Sequence, residues 1–375
     1  MLKHRITGIL ILGMSAGISF FTGRQFLNMH HPDVFFPSTG LTSKKLLSEY
    51  FPALKKTQGD TTVYLFQGRE EGGNILILGG THPNEPAGFI TTVVLLENIN
   101  VKRGKIFILP QANISGFTHN DPHEGNPQYF SLRTEGKSRR FRFGSRLTNP
   151  VHQWPDPTLF INAAGQKLSG AEVRNLNRSY PGKAHGHLTE KIAFGIMELI
   201  QKEKIDLAID LHEAAPEYPV VNAMVFHENT AELAAIASMD LQVQGVDLRL
   251  EASPPGLRGL SHREWGDHSY TLAVLLETAN VSHGRLKGKP SASLIVEGKD
   301  RNYLKASKLG LLFVPFDEQG IPLKERVFRH LSSVKALLAG LEDILPEKAV
   351  TITDFPDIDT VREQGPGLYL QSPPK

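Results

Sequence analysis

The stretch "NILILGGTHPNEPAG", residues 74–88, decides the fold. Its apolar run from Ile75 to Leu78 predicts a buried strand, and the two glycines that follow allow the backbone to turn sharply. The next stretch, "PAGFITTVVLLENI", has the length and pattern of a helix. His82 and Glu85 stand between the strand and the helix, three residues apart. The stretch therefore indicates a strand, a turn and a helix, with an imidazole and a carboxylate in the turn.

Outward from this stretch, strand-like apolar runs alternate with periodic, helix-like stretches. The pattern predicts further strands at 105–113, 205–212, 270–278 and 309–316, and helices at 189–203 and 327–345. This alternation is typical of an α/β fold in which helices cover a sheet. Residues 118–183, rich in Pro, Asn, Gly and Arg, interrupt it. We therefore predict one domain over residues 45–345, an irregular insert at 118–183 and an irregular C-terminal extension at 346–375.

The composition limits the chemistry that the chain can perform. Of the 375 residues, 41 are Lys or Arg and 39 are Asp or Glu, so the net charge of +2 gives no global electrostatic case for binding nucleic acid. Cysteine is absent, which excludes disulfides, thiolate metal ligands and a cysteine nucleophile. Any bound metal must therefore be held by histidines and carboxylates, and any nucleophile must be Ser, Thr, Asp, Glu or water.

The N-terminal residues 1–24 have the pattern of a targeting segment. Lys3, His4 and Arg5 precede an apolar run from Ile6 to Phe21, whose length lies between a signal-peptide core and a full membrane span. No clear small-x-small cleavage site follows the run. We predict an export signal that is kept as an inner-membrane anchor, with the chain from residue 25 onward facing the periplasm. The alternative is a buried N-terminal helix.

Four side chains with metal or proton chemistry fall at the ends of predicted strands. His82 and Glu85 follow the first strand, His212 is the last residue of "IDLAIDLH", and Glu277 closes "LAVLLE". Ligands bind at the carboxyl ends of strands in open α/β sheets. Two histidines and one carboxylate are the ligand set of a catalytic zinc, which leaves one position for water, and Glu277 would be the base acting on that water.

Each of these signals is weak when it is taken alone. An isolated H-x-x-E more often marks a surface helix start, and a lone histidine at a strand end is more often structural. The joint occurrence at three strand ends favours the metal site. Asp210 precedes His212 by two residues on the same strand face, so it either orients the imidazole or is an ordinary strand-edge aspartate.

An ordered set of motifs resembles a known family. "GGTHPNEPAG", "ILPQANISG", "NLNRSYPG", "AIDLHEA" and "LLET" are similar to the zinc carboxypeptidase superfamily, and most of all to its succinylglutamate desuccinylase and aspartoacylase branch. The resemblance spans roughly residues 60–345. It implies a mixed, mostly parallel sheet flanked by helices, within a zinc hydrolase domain at 45–345. It also implies one zinc per chain and the following site residues: His82, Glu85 and His212 as ligands, Glu277 as the catalytic glutamate, and Asn177 with Arg178 on a substrate carboxylate.

The sequence departs from the family pattern at three places. Asn175 stands where the family usually has Asp, and Asn113 opens "NISG" where relatives often show "NPDG". The family's oxyanion arginine lies upstream of the Asn-Arg pair, where Arg146 and Arg174 are both candidates. The two asparagine departures affect neither the metal ligands nor the base, so they concern the substrate more than the reaction.

The insert contains a cluster of basic side chains interleaved with two phenylalanines. Solvated loop charge and a rim that attracts an anionic substrate are equally compatible with this cluster, and nothing else in the chain supports nucleic-acid binding. The cluster consists of Arg133, Lys137, Arg139, Arg140, Arg142 and Arg146.

The sequence thus favours a zinc-dependent hydrolase that cleaves an amide bond next to a carboxylate, an N-acyl amino acid deacylase. Its substrate would be a small molecule or a short peptide that carries a carboxylate. One alternative is an exported zinc carboxypeptidase that acts on peptides or cell-wall peptides. Another is a non-catalytic, membrane-anchored binding protein on the same scaffold, although such a protein has no need of Glu277. A serine hydrolase is disfavoured because no G-x-S-x-G follows a strand.

Overall fold

The computed structural model describes residues 2–121 and 123–372. The strands in this part of the chain are β1 Ser43–Leu46, β2 Thr62–Gln67, β3 Glu70–Leu78, β4 Asn100–Leu109, β5 Tyr129–Arg133, β6 Ser138–Arg142, β7 Leu159–Ile161, β8 Lys167–Ser169, β9 Leu207–Ala214, β10 Ala223–Phe226, β11 Arg249–Ala252, β12 Leu272–Ala279 and β13 Thr351–Thr353.

The α-helices in the same residues alternate with these strands over most of the chain. They are α1 Leu2–Asn28, α2 Pro86–Asn98, α3 Leu188–Lys202, α4 Ala231–Val243, α5 Ser261–His268, α6 Ala292–Glu297, α7 Arg301–Lys308, α8 Leu323–Ile344 and α9 Ile358–Gln364.

A nine-stranded mixed sheet forms the centre of the molecule. Its order is β1-β2-β4-β3-β9-β12-β10-β11, and β13 pairs with β4 off this path. The four central strands β4, β3, β9 and β12 are mutually parallel, whereas β1, β2 and β10 are joined through antiparallel pairs. Neighbouring central strands are parallel because they are connected through helices. A mixed, mostly parallel sheet is the predicted fold class, which is therefore confirmed.

Helices cover both faces of the sheet. Residues alternate along each strand, so Ile75 and Ile77 of β3 pack in the core beneath α2, α4 and α8, whereas Leu76 and Leu78 pack in a second core with α3 and Trp265 of α5. Both faces of the central strands are apolar for this reason. The predicted strand at 74–78 and the helices at 86–98, 189–203 and 327–345 are confirmed within a few residues.

Helix α2 lies unusually close to the sheet. Every residue from Pro86 to Glu97 is buried. A Cβ added at Gly88 would lie 2.3 Å from the carbonyl oxygen of Leu211 in β9, so only glycine allows this approach. The close contact brings the start of α2, and the turn before it, next to the end of β9.

A buried ion pair holds these elements in place. Glu213 of β9 accepts a hydrogen bond from the backbone N–H of Ala87, in the first turn of α2, at 2.9 Å. Arg326 of α8 pairs with the same carboxylate, and neither side chain is exposed. The carboxylate therefore joins a strand and two helices inside the core on the α2 side.

A second buried carboxylate joins segments that are distant in sequence. Glu97, at the end of α2, accepts hydrogen bonds from the backbone N–H groups of Phe36 and Gln371 at 3.0 and 2.8 Å. It also pairs with Arg139 of β6 at 2.8 Å. Residues before the sheet, in the insert and near the C-terminus thus meet at one side chain.

The strands differ from the sequence predictions in two ways. Residues 309–316 form no strand: Pro315 lacks the N–H that a sheet ladder requires, and Leu309, Leu311 and Phe313 are exposed. Strands β9 and β12 continue two residues beyond His212 and Glu277, because their pairing extends to Ala214 and Ala279.

The two segments predicted to be irregular contain regular elements. The insert at 118–183 forms two hairpins, β5 with β6 and β7 with β8. The extension at 346–375 contributes β13, which pairs with β4, and α9, which packs on α8. Short elements of this kind have too few residues to show a periodic pattern. The domain boundaries themselves remain a prediction.

Helix α1 extends from Leu2 to Asn28, and none of its residues is buried. The alternative of a buried N-terminal helix is therefore wrong. By length and composition α1 could cross a membrane, and a signal sequence near the N-terminus would have the same properties.

Replacing Arg326 with Met should lower the free energy of unfolding by about 3–5 kcal/mol, because Glu213 would remain as a buried and unpaired carboxylate. Urea denaturation of the purified protein measures the change. Arg362→Met is the matched control, since Arg362 pairs with Glu325 at the surface with 48% of its side chain exposed and should contribute less than about 1 kcal/mol. Equal effects of the two variants would contradict the role of the buried pair.

Candidate metal centre

Two histidines and one glutamate meet at the carboxyl edge of the central strands. His82 and Glu85 lie in the turn between β3 and α2, which begins with Gly80 at a φ of +65°. His212 projects from β9. The three side chains are buried, and their candidate ligand atoms all lie within 4.8 Å of one another. The Nδ1 atoms of His82 and His212 lie 2.8 and 2.9 Å from the two oxygens of Glu85.

The other ring nitrogen of each histidine contacts an oxygen outside the cluster. His82 Nε2 lies 2.9 Å from Asn175 Oδ1, and His212 Nε2 lies 2.9 Å from Asp210 Oδ2. The latter contact is an ion pair without hydrogen-bond alignment. Thr81 donates to the second oxygen of Asp210 at 2.8 Å. Such outer contacts orient metal-binding imidazoles in proteins, which supports the first of the two interpretations of Asp210.

The protonation states of the cluster are mixed, because burial would lower the pKa of His212 but Asp210 and Glu85 raise it well above its usual value. Burial, together with the nearby Arg146, lowers the pKa of His82 to about 3, so the imidazole is neutral at pH 7. Burial alone would raise the pKa of Glu85, but His82 and His212 hold it well below its usual value. Since Asn175 Oδ1 can only accept, His82 carries its proton on Nε2 and turns the Nδ1 lone pair toward the ionised carboxylate. The His82 lone pair and the Glu85 carboxylate converge in a buried space and fit a divalent metal, whose binding would displace the Nδ1 proton of His212.

Glu277 lies directly beside His212. The parallel register of β9 and β12 pairs these two residues, so their side chains emerge on the same face of the sheet. Part of Glu277 reaches the surface, but its Oε2 atom is buried and has no hydrogen-bond partner among the described residues. This burial raises the pKa of Glu277 to about 8, although the charge of His212 opposes the shift. The carboxyl group is therefore available to exchange a proton.

Two arginines and an asparagine lie around the cluster. Arg146 Nη1 donates to Glu85 Oε1 at 2.9 Å, and 31% of its side chain is exposed. Arg178 donates to the backbone carbonyl of Asn177 at 2.7 Å. Burial and the neighbouring Arg146 lower the pKa of Arg178. Asn177 Oδ1 accepts from the backbone N–H of Ser261 at 2.8 Å.

The remaining basic side chains make other contacts. Arg174 forms a bidentate ion pair with Asp156 at 2.7 and 2.9 Å, so its guanidinium is engaged away from Glu85. Arg139 pairs with Glu97 and Arg142 with Asp33, and both side chains are almost fully buried. Two arginines of the insert thus stabilise the fold. Arg146 is the member of the basic cluster that contacts a predicted ligand.

A further histidine near the cluster has no sequence signal that identifies it. His283 follows β12, and its Nε2 atom lies 3.9 Å from Glu85 Oε1. Its Nδ1 atom lies 3.3 Å from the side-chain amide of Asn84. Burial lowers its pKa. Only the spatial position reveals this residue, because no motif spacing links it to the other ligand candidates.

The structure explains why asparagine occupies position 175. Asn175 Oδ1 accepts from His82 and from the backbone N–H of Asn177, the latter at 3.0 Å. Its Nδ2 group donates to the carboxylate of Glu172 at 2.7 Å. An aspartate at this position would place two carboxylates in contact. Glu172 therefore favours the amide at position 175.

Comparisons with known proteins find a curated relative and several similar solved structures. No family model matches the chain. The chain is 28% identical to N-alpha-acetyl-L-2,4-diaminobutyric acid deacetylase of Halomonas elongata over 134 residues, which are 36% of this chain and 36% of that protein. The chain thus matches about a third of the length of this curated relative.

Several solved structures are similar to this chain. Cell shape determinant protein Csd4 of Helicobacter pylori has 13% identity and a TM-score of 0.46, with 81% of this chain and 59% of that chain covered. A metallo-carboxypeptidase of Burkholderia cenocepacia has 13% identity and a TM-score of 0.44, with 82% and 66% covered. A succinylglutamate desuccinylase of Silicibacter sp. TM1040 has 16% identity and a TM-score of 0.36, with 58% and 53% covered. Two of these neighbours are a metallo-carboxypeptidase and a desuccinylase, the protein classes that the sequence motifs resemble.

Replacing Asn175 with Asp should lower the free energy of unfolding by about 1–3 kcal/mol, because the new carboxylate would face Glu172 without a donor. Thermal unfolding at pH 7 measures the loss. The double variant Asn175→Asp, Glu172→Gln should recover most of it, since the glutamine amide would donate to the new aspartate. Additive losses in the double variant would show that the two residues do not interact.

Proposed function

We propose that the protein is a zinc-dependent hydrolase of an amide bond next to a carboxylate, and that its substrates are N-acyl amino acids. The observation that carries this proposal is the pairing of His212, in the buried cluster with His82 and Glu85, with Glu277 on the next strand. A cluster that only bound a metal would be complete without Glu277. An unpartnered carboxyl group with a raised pKa beside such a cluster is instead suited to proton transfer.

The reaction adds water to the acyl carbon and breaks the carbon–nitrogen bond. Zinc held by His82, Glu85 and His212 would supply a Lewis acid for the scissile carbonyl and a positive charge that acidifies water and favours ionised Glu277. Glu277 accepts the proton of the attacking water and delivers it to the leaving amine, so that the carboxylate ends the cycle ionised. Desolvation by the apolar strand around it keeps Glu277 a strong enough base for this role.

The arginines around the cluster bind the negative charges of the substrate and of the reaction. Arg178 and the side-chain NH₂ group of Asn177 donate to the substrate carboxylate, since Asn177 Oδ1 is already bonded to Ser261. Arg146, which reaches Glu85 from a partly exposed position, stabilises the oxyanion. Arg174 is the weaker candidate for that role, because its guanidinium is paired with Asp156.

The similarity to a deacetylase supports a small N-acyl amino acid as substrate. A panel of N-acetyl, N-succinyl and N-aspartyl compounds, together with short peptides, tests this assignment. Turnover of the peptides alone would instead support the exported carboxypeptidase.

We also propose that α1 anchors the protein in the inner membrane with the hydrolase domain in the periplasm. The exposed, apolar α1 and the basic residues Lys3 and Arg5 before its apolar run support this orientation. A reporter that works only in the periplasm should be active when it is fused after residue 375. Activity of a reporter that requires the cytoplasm would contradict the orientation.

His212→Ala should remove the bound zinc, because two of three protein ligands hold the metal far less tightly. Metal analysis after purification measures zinc per chain, and circular dichroism checks that the fold persists. His227→Ala is the control, since His227 belongs to a second His/Glu/Asp group with Glu228 and Asp267. We expect full zinc content in that variant. Zinc loss in His227→Ala, with zinc retained in His212→Ala, would show that the second group holds the metal.

Glu277→Gln should reduce hydrolysis at least about 100-fold while zinc content and substrate affinity persist, because the amide has the same shape but cannot accept the proton. Turnover is compared at equal zinc content. Glu297→Gln, which alters an exposed carboxylate, serves as the control and should leave the rate unchanged. Equal rates for wild type and Glu277→Gln would show that Glu277 is structural and that the mechanism is wrong.

A further inference from the structure

A cavity of about 730 Å³ opens at the C-terminal end of α1. It lies between residues 28–36 and the hairpin of β5 and β6. None of the residues that line it belongs to the cluster of His82, Glu85 and His212. Asn28, the last residue of α1, is part of its wall, and the hairpin contributes Tyr129 and three arginines. The cavity therefore lies where the candidate membrane helix meets the folded domain.

The wall of the cavity carries excess positive charge. Arg139, Arg140 and Arg142 line it, Asp33 is the single carboxylate in the lining, and Arg139 is neutralised by Glu97, which lies outside the lining. Asp33 is bonded to Arg142 at 2.8 Å. Arg140 is exposed, and its guanidinium lies 4.3 Å from the centre of the Tyr129 ring. This guanidinium has no carboxylate partner among the described residues, so the cavity offers a free cation.

Two hydrogen-bond donors in the wall have no acceptor. The hydroxyl group of Tyr129 and the Nη2 group of Arg142 are buried and unpartnered in the described part of the chain. Tyr129 and Arg142 lie directly opposite each other in the β5–β6 register, so both side chains belong to one face of the hairpin. Buried donors without acceptors are costly, and the oxygens of a bound anion would satisfy them.

Neighbouring surface features also fit a membrane boundary. The ring of His30, just after α1, lies 6.3 Å from the ring of His152, which brings the loop at 150–154 to this end of the molecule. Val151 and Trp154 in that loop are 84% and 73% exposed. Tryptophan and basic side chains are enriched where proteins meet the headgroups of a bilayer.

We propose that this cavity binds the phosphate-bearing headgroup of an anionic membrane lipid. Arg140, the Nη2 group of Arg142 and the Tyr129 hydroxyl donate to the phosphate oxygens, and bidentate guanidinium contacts suit that geometry. The inference rests on the proposed membrane anchoring by α1, but it does not depend on the hydrolytic activity. A free phosphate compound would present the same chemistry, and the position of the cavity at the end of α1 favours the lipid.

Native mass spectrometry of the full-length protein in detergent tests the proposal with added phosphatidylglycerol or phosphatidylcholine. The wild type should retain phosphatidylglycerol preferentially. Arg140→Gln should weaken this retention about tenfold, the scale of one lost charge-assisted hydrogen bond. Tyr129→Phe, which removes only the unpartnered hydroxyl, should weaken it less. Arg301→Gln alters an exposed arginine outside the cavity and should behave as wild type.

Equal retention of phosphatidylglycerol by wild type and Arg140→Gln would overturn the proposal. Displacement of the lipid by millimolar inorganic phosphate, with equal binding of phosphate in the absence of lipid, would overturn the lipid as the ligand. A separate experiment tests whether α1 anchors the protein in a membrane. The protein is reconstituted into vesicles that contain brominated phosphatidylcholine, which quenches nearby tryptophan fluorescence. If the protein is anchored, the fluorescence of Trp154 should be quenched, whereas the fully buried Trp265 supplies a constant background. Zinc content should be the same in all variants.

Discussion

The position of the candidate metal ligands His82, Glu85 and His212 depends on Glu213, a carboxylate that points away from them. Successive residues of a strand face opposite sides of the sheet, so His212 enters the cluster while Glu213 enters the core beneath α2 and α8. Glu213 holds the N–H of Ala87, only two residues after Glu85. This hydrogen bond, on the opposite face of the sheet, therefore fixes the distance between Glu85 and His212. Burial raises the pKa of Glu213, and Arg326 opposes this shift.

The position of Glu277 has a different origin. It results from backbone register between two parallel strands, which pairs Glu277 with His212 through main-chain hydrogen bonds. Side-chain substitutions nearby leave such a register intact, because apolar residues on both faces of β9 and β12 fix the strands in the sheet. The cluster and the carboxyl group beside it are therefore held by independent constraints, one from side chains and one from the backbone.

The sequence predicted the parts of the structure that local patterns encode. Apolar runs located the central strands, and the glycine turn located His82 and Glu85, since both signals lie within about fifteen residues of one another. Pairings between distant residues were not predictable. Asp33 and Arg142 are 109 positions apart, and Glu97 and Arg139 are 42 positions apart. The sequence therefore suggests that the charged insert is solvated or attracts substrate, although two of its arginines are buried in the core. The contact between Asn175 and Glu172 spans only three positions, but no periodic pattern encodes it.

The meeting of distant segments at Glu97 has a consequence for biosynthesis. Its partners come from residue 36, residue 139 and residue 371, so the last of them is added 274 residues after Glu97 itself. Contacts of such long sequence separation form slowly, because a long loop must close before the contact contributes any stability. The charge of Glu97 is incompletely satisfied until the C-terminal segment docks. A chain that crosses a membrane as it is made would therefore reach its native state only after residue 371 has emerged.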